Sequence, residues 1–381
     1  MSGRKVDFFK HNLDDECLAE LNAAARNPFI TLGPKTKDFE RRFAAYLGMS
    51  RAVGVMSCTH ALHLSYVALG IGSGDEVIVP AFTFAATLAA VFHAGAKPVL
   101  ADVHPDTGLI DPEKAARAIT PRTKAICPVH LYGVPAPMPL LADIAGKAGI
   151  AVVEDAAHCI EGRGPDFRLG QFSDAVAFSF YATKNITSGE GGAVATNNPA
   201  LAEKIGVLRN HGMDKNATER SSLKVPMYDI EQLGYKSNLT DLQAALLIPQ
   251  LARIEERWER RADIVARYNE ALSSTPGIRV PVVPDGFRSA HHLYTIRVGR
   301  PEKRDEFLAA LLESGVGCSV NYRPLSDLTF YREKLGIRPE DFPNATAIGR
   351  TTITLPLYPL LDDSEVDYVI ETVKKLADRL L

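Results

Sequence analysis

The chain has no CxxC pair, no basic stripe, no internal repeat and no low-complexity tract. Its cysteines are Cys17, Cys58, Cys127, Cys159 and Cys318, an odd number without metal-ligand spacing. A disulfide framework and a zinc site are therefore not expected. His291 and His292 likewise have no partner at ligand spacing, so no metal is expected. Lys and Arg number 43 against 46 Asp and Glu, a net charge of −3. Without a basic stripe, nucleic acid is not an expected partner. Residues 77–96 hold no Asp, Glu, Lys or Arg over 20 positions, the length of a membrane helix. Pro80, Thr83, Thr87 and His93 interrupt that run, and it reads as a strand (VIVP) followed by a helix (FAATLAAVFHAG), so no membrane span is expected. The opening MSGRKVDFFKHNLDDE lacks the apolar core of a signal peptide, and reducing cytoplasm is the expected compartment.

What is present is an ordinary globular composition, 46% hydrophobic and 23% charged, long enough for two or three domains. Strand and helix signals alternate over the first two-thirds. RAVGVMS, EVIVP, KPVLADV, KAICPVH, IAVVED, AVAFSF and GGAVATN read as strands, most of them separated by helical segments. Asp111 and Pro112 mark a helix start, and Phe39, Phe43 and Leu47 share one helical face. This pattern predicts an α/β fold with a mainly parallel sheet covered on both faces. Near residue 240 it changes to one long helical stretch, with a bend expected at Pro249, then a Pro/Gly-rich connection and a smaller α+β region with strands LYTIRV and VGCSVNY. The expected division is 1–245 for a large domain, amino-terminal arm included, and 246–381 for a small one.

In such sheets ligands bind beyond the carboxyl ends of the strands. RAVGVMS ends in Ser57-Cys58-Thr59-His60 at a helix start, which is either a simple cap or an anion site. EVIVPAFT is followed by Phe84, IAVVED ends in Asp155, and AVAFSF leads through Ser179 to Lys184. Lys184 stands between an apolar run and the turn GEGG, with only Asp174 and Glu190 as nearby charges. A poorly solvated ammonium loses pKa and becomes nucleophilic. Anion site, aromatic, acid and amine together match the phosphate, ring, pyridine nitrogen and aldehyde of pyridoxal 5′-phosphate.

GDEVIVPAFTF, VVEDAAH, SFYATKNITSGEGG and LGYKSNLTDLQAA resemble the sugar aminotransferases of the DegT/DnrJ/EryC1/StrS family, over nearly the whole chain. The resemblance implies the aspartate aminotransferase-type fold (fold type I). FSFYATKNIT and GYKSNLTD are similar to the variety that aminates UDP-linked 4-keto sugars, such as UDP-4-amino-4-deoxy-L-arabinose aminotransferase. By that resemblance Lys184 would bind pyridoxal phosphate as a Schiff base and carry the proton. Asp155 would hold the ring nitrogen protonated, and His158 and Phe84 would flank the ring. Cys58, Thr59, the His60 N–H and Ser179 would surround the phosphate, and Asn238 would reach the phosphate of a neighbouring subunit in an obligate homodimer. Glutamate would donate the amino group and a nucleotide-linked keto-sugar accept it, with pyridoxamine phosphate between the two half-reactions.

Two departures bear on the sugar. Lys236 and Asn238 in GYKSN replace the Asn and Arg of GYNYR, and Asn321 in SVNY replaces the His of VHY. Alternatives are amination of a non-nucleotide cyclic ketone, a sugar dehydratase, or a non-catalytic regulator. The dehydratase relatives carry His at the Lys184 position, and a regulator would need an appended DNA-binding segment. Glu190 is expected to shape the turn beside the cofactor. Tyr181, Asn185, Arg209 and His211 read as packing or surface polar contacts, and RIEERWERR (253–261) as a solvated helix face.

Overall fold

The computed structural model describes residues 4–214, 227–230 and 232–381. Seven strands, β1 (Arg51–Val55), β2 (Glu76–Pro80), β3 (Lys97–Ala101), β4 (Thr123–Ile126), β5 (Ala151–Asp155), β6 (Ala175–Ser179) and β7 (Gly192–Thr196), form one sheet in the order β1-β7-β6-β5-β4-β2-β3. Only β7 runs against the others, antiparallel to both β1 and β6.

Alternation along the strands divides the core. Val176, Phe178, Ala193 and Ala195 face the helices Pro34–Leu47 and Asp241–Ala252, meeting Phe39, Phe43, Leu47 and Leu247. Phe43 lies edge-on to Phe178 at 5.0 Å. Each fully buried phenyl ring here contributes about 2–3 kcal/mol. Ala175, Ala177 and Val194 face the other way, with Val53 and Val153, toward helices Cys58–Ala68, Ala86–His93 and Pro199–Leu208. Both faces are buried, as a sheet with crossover helices requires.

One glycine positions the site. A Cβ at Gly192 would lie 2.4 Å from the Ser57 carbonyl carbon and 2.7 Å from Cys58 N. The start of the helix Cys58–Ala68 is thereby seated directly on β7. That contact explains the last glycine of GEGG.

The second core surrounds an antiparallel sheet in the order β10-β9-β8, of β8 (Ile278–Arg279), β9 (Tyr294–Val298) and β10 (Thr352–Leu355). TITL, not VGCSVNY, supplies the strand beside β9. Residues 316–322 make only isolated bridges, Ser319 with Thr354 and Val316 with Val6. The apolar alternation is real, but its pairing is spent on two different partners.

The amino-terminal segment, expected with the large domain, places Val6 in this second core, held by Val6 N–H to the Gly315 carbonyl at 2.8 Å. The long helical stretch does not break at Pro249 but at Arg253, between helices Asp241–Ala252 and Ile254–Leu272. Pro249 lies inside the first helix, and Arg253 is held by Asp14 at 2.6 Å. Ile254 still packs in the large core, whereas Ile264, Tyr268 and Leu272 lie in the second. The helix Ile254–Leu272 therefore carries the chain from one core to the other.

Candidate active site

The carboxyl ends of β1, β2, β5 and β6 open onto a cavity of about 530 Å³. Cys58, Thr59, Phe84, Asp155, His158, Ser179 and Lys184 all line it, together with Glu190 in the glycine turn. His60 and Asn238 do not. The His60 N–H is already donated to Ser57 Oγ at 3.2 Å, the cap of its own helix. Asn238 is in a bridge with Val55 at the edge of the sheet, its amide 3.4 Å from the Leu239 carbonyl.

Ser57 is the N-cap of the helix Cys58–Ala68, whose first N–H groups face the cavity end of β1. A helix start with free donors and neighbouring hydroxyls, here Thr59 and Ser179, favours an anion. Asp155, 5% exposed, closes β5. One oxygen accepts from the Ala157 N–H at 3.1 Å and from the Cys58 thiol at 3.8 Å, the other from the Thr87 hydroxyl at 2.8 Å. Burial, then the Asp155 charge, holds the Cys58 thiol well above its ordinary range.

Lys184 sits in the turn after β6, its N–H bonded to the Tyr181 carbonyl at 2.9 Å. Burial pushes its ammonium down to about 8, opposed by Cys58 and Asp155. That brings an appreciable neutral fraction within reach of physiological pH, which a nucleophile and proton carrier needs.

His158 forms a wall. Its Nδ1 accepts from the Tyr132 N–H at 3.2 Å, so its proton is on Nε2 and is donated to the Tyr322 hydroxyl oxygen at 3.0 Å. The His158 and Tyr322 rings are stacked, and Phe84, 56% exposed, tilts toward Tyr322 at 5.6 Å. Burial, then Lys184, lowers the His158 pKa well below the ordinary imidazole value.

Several residues here escape a reading of the sequence. Tyr322 closes the segment SVNY without being singled out by it, and Thr87 carries no local motif. Asn185 is not a surface polar contact, because its amide binds Glu161 Oε2 at 2.8 Å. RIEERWERR is not a solvated face throughout, because Arg261 is 2% exposed and paired with buried Glu161. His292 stands 3.4 Å from Lys184 Nζ. Its signal was position alone, in SAHH just before the strand LYTIRV.

The residues fit pyridoxal phosphate: a lysine with depressed pKa, an acid at a strand end, a helix start with free N–H groups seated on Gly192, and ring walls. Fold and site together define a pyridoxal-phosphate-dependent aminotransferase of fold type I. The chain belongs to the DegT/DnrJ/EryC1/StrS aminotransferase family, whose model matches residues 11–374. It is 43% identical to the spore coat polysaccharide biosynthesis protein SpsC of Bacillus subtilis (strain 168), covering 95% of this chain and 94% of that one. Among solved structures it is similar to Spr1654 of Streptococcus pneumoniae, designated a sugar aminotransferase and solved in its PMP form. That likeness has a TM-score of 0.94 and 34% identity over 99% of this chain and 100% of the other. It is also similar to S. venezuelae DesV in complex with a ketimine intermediate, at TM-score 0.91 and 36% identity, over 99% and 100% of the two chains. No helix among the described residues is long and apolar enough to cross a membrane.

Proposed function

We propose that this aminotransferase moves the amino group of glutamate onto C4 of a UDP-linked keto-sugar, in a homodimer with shared sites. The observation that carries the reading is Lys184 with its lowered pKa in one cavity with Asp155 and the start of the helix Cys58–Ala68. Pyridoxal phosphate, when bound, supplies the electron sink for a carbanion and carries the amino group between substrates.

Lys184 would hold the cofactor covalently, Asp155 would keep its ring nitrogen protonated, and His158 and Phe84 would flank it. Thr59, Ser179 and the helix N–H groups at Cys58 would take the phosphate. Once displaced, the Lys184 amine would move a proton from the donor's α-carbon to the cofactor's former aldehyde carbon, and in the second half-reaction from that carbon to the acceptor carbon. Double-displacement kinetics follow from that order.

Three observations support the finer points. Asn321 lines the cavity, and its Oδ1 is buried without a donor among the described residues, a place suited to a sugar hydroxyl. Among the described residues lining the cavity, Lys184 is the only Lys or Arg. A cofactor phosphate and a nucleotide diphosphate need more positive charge than that, which a second copy would supply. The similarity to a polysaccharide biosynthesis protein favours a sugar acceptor over a cyclitol.

The test is purified protein with glutamate and a panel of nucleotide keto-sugars, with products read by mass. A UDP-4-amino sugar is expected, and Lys184→Ala should lose about 10⁴-fold in turnover. Product from a cyclitol ketone alone overturns the acceptor, and full turnover by Lys184→Ala overturns the site.

A further inference from the structure

A buried chain of polar groups ends at Lys184. Lys184 Nζ is 3.4 Å from His292 Nε2, and His292 Nδ1 is 3.1 Å from Asn185 Oδ1. The Asn185 amide nitrogen donates to the Ala290 carbonyl at 3.0 Å and to Glu161 Oε2 at 2.8 Å. Glu161 Oε1 accepts from Arg261 Nη2. His292, Glu161 and Arg261 are 4%, 1% and 2% exposed, so water does not compete for these bonds.

The directions follow from donor counting. The Ala290 carbonyl only accepts, so the Asn185 NH₂ must face it, and the Asn185 oxygen must face His292. An amide oxygen accepts, so His292 Nδ1 carries the ring proton. Nε2 then presents a lone pair, and it presents it to Lys184.

We propose that His292 is a positioning residue for Lys184: an imidazole locked by Asn185 in its Nδ1–H form, accepting a hydrogen bond from Nζ and holding the amine once the donor substrate has displaced it. The inference rests on the reading of Lys184 as the covalent anchor. A displaced lysine is a flexible four-carbon chain, and a proton carrier must return to one place on each half-reaction.

The amide between ring and carboxylate matters. A carboxylate directly on Nδ1 would favour imidazolium and set a second cation against Lys184. Asn185 orients the ring without charging it, and the Glu161–Arg261 pair anchors Asn185 from behind. The titratable groups facing Lys184 are Cys58 and Asp155, which favour its ammonium, and the His158 and His292 rings. Burial holds both rings well below the ordinary imidazole pKa, so they are neutral near pH 7.

A lone pair facing Nζ stabilises the ammonium more than the amine, so its removal should lower the Lys184 pKa. The experiment is competitive acetylation of cofactor-free protein across pH, read by mass on the Lys184 peptide. The wild-type midpoint is expected near the value of about 8. His292→Phe should lower the midpoint by about one pH unit and reduce kcat about 10-fold with the KM for glutamate unchanged. His292→Gln, whose side-chain oxygen can replace the Nε2 acceptor, should restore both. A midpoint in His292→Phe equal to wild type overturns the proposal, as does His292→Gln displaced as far as His292→Phe. Should a variant fail to fold, ¹⁵N-histidine spectra of the wild-type protein decide. Protonation of His292 at Nδ1 supports the proposal, and protonation at Nε2 overturns it. Borohydride fixation of the cofactor at a lysine other than Lys184 would sink the parent reading, while the hydrogen bond would still be measured in cofactor-free protein.

Discussion

Two buried imidazoles of this molecule sit in networks of opposite kind. His130 Nδ1 accepts from the Ala136 N–H at 2.9 Å, and its Nε2 donates to Glu154 Oε2 at 2.7 Å. The second Glu154 oxygen takes the Gly170 N–H and the Ser173 hydroxyl. Every partner belongs to the scaffold. His292 has an amide where His130 has a carboxylate, and its remaining nitrogen points at Lys184. A ring satisfied on both nitrogens by the fold braces β5. A ring with one lone pair left over serves whatever that lone pair faces. Glu154 and Asp155 are neighbours on β5, so alternation alone turns one carboxylate into the core and the other into the cavity.

If the two networks are separable, Glu154→Ala should cost stability and leave Lys184 alone. It would orphan two buried donors, from His130 and Gly170, and the half-buried Ser173 hydroxyl. A loss of about 3–5 kcal/mol is expected from denaturant unfolding. The acetylation midpoint of Lys184 should not move. A shift there as large as that of His292→Phe would show that the two networks act as one.

The opposite sign is expected at the site itself. Lys184 has its pKa lowered from 10.5 to about 8 in the folded chain. Between those values the unfolded state holds the proton and the folded state does not, so stability rises with pH across that window. Below it the lysine is charged in both states, and the folded chain bears the cost of its burial. Cofactor-free Lys184→Met should therefore be more stable than wild type at pH 7, by about 2–3 kcal/mol. The gap should close as pH rises from about 8 toward 10. A variant less stable than wild type at pH 7 would mean that His292 and Asp155 outweigh the burial.

The same contrast explains what could be read from sequence. Strand ends were legible because period-2 apolar runs stop where the chain leaves the sheet. Ser57, Phe84, Asp155 and Lys184 all lie at such stops, and that is why seven expected site residues meet in one cavity. The reversed direction of β7 was not legible, since GAVAT is equally apolar read either way. Nor was the network behind Lys184. Glu161, Asn185, Arg261 and His292 come from segments far apart, and no periodicity joins them. Arg261 looked solvated because alternating charge on a helix says nothing of what covers one of its faces. The Loop 316–322 misled for a related reason: apolar alternation marks a segment fit for pairing and does not name its partner.

His158 lies between the two extremes, and it offers the finest cut. Its Nδ1 is filled by the Tyr132 N–H, as in the closed network, but its Nε2–H is donated to Tyr322 at the cavity wall. The Tyr322 oxygen accepts that hydrogen bond, which leaves its own O–H to donate to a substrate. Tyr322→Phe removes one neutral hydrogen bond, and the freed His158 N–H can find water in an open cavity. The expected change is small, about 1 kcal/mol, read as a roughly fivefold fall in kcat/KM for the sugar acceptor with the amino-donor half-reaction intact. Equal losses in both half-reactions would place the hydroxyl on the cofactor side of the cavity. A loss of about 10³-fold would mean that the hydroxyl moves a proton itself, and His158 would then belong with His292 rather than between the two.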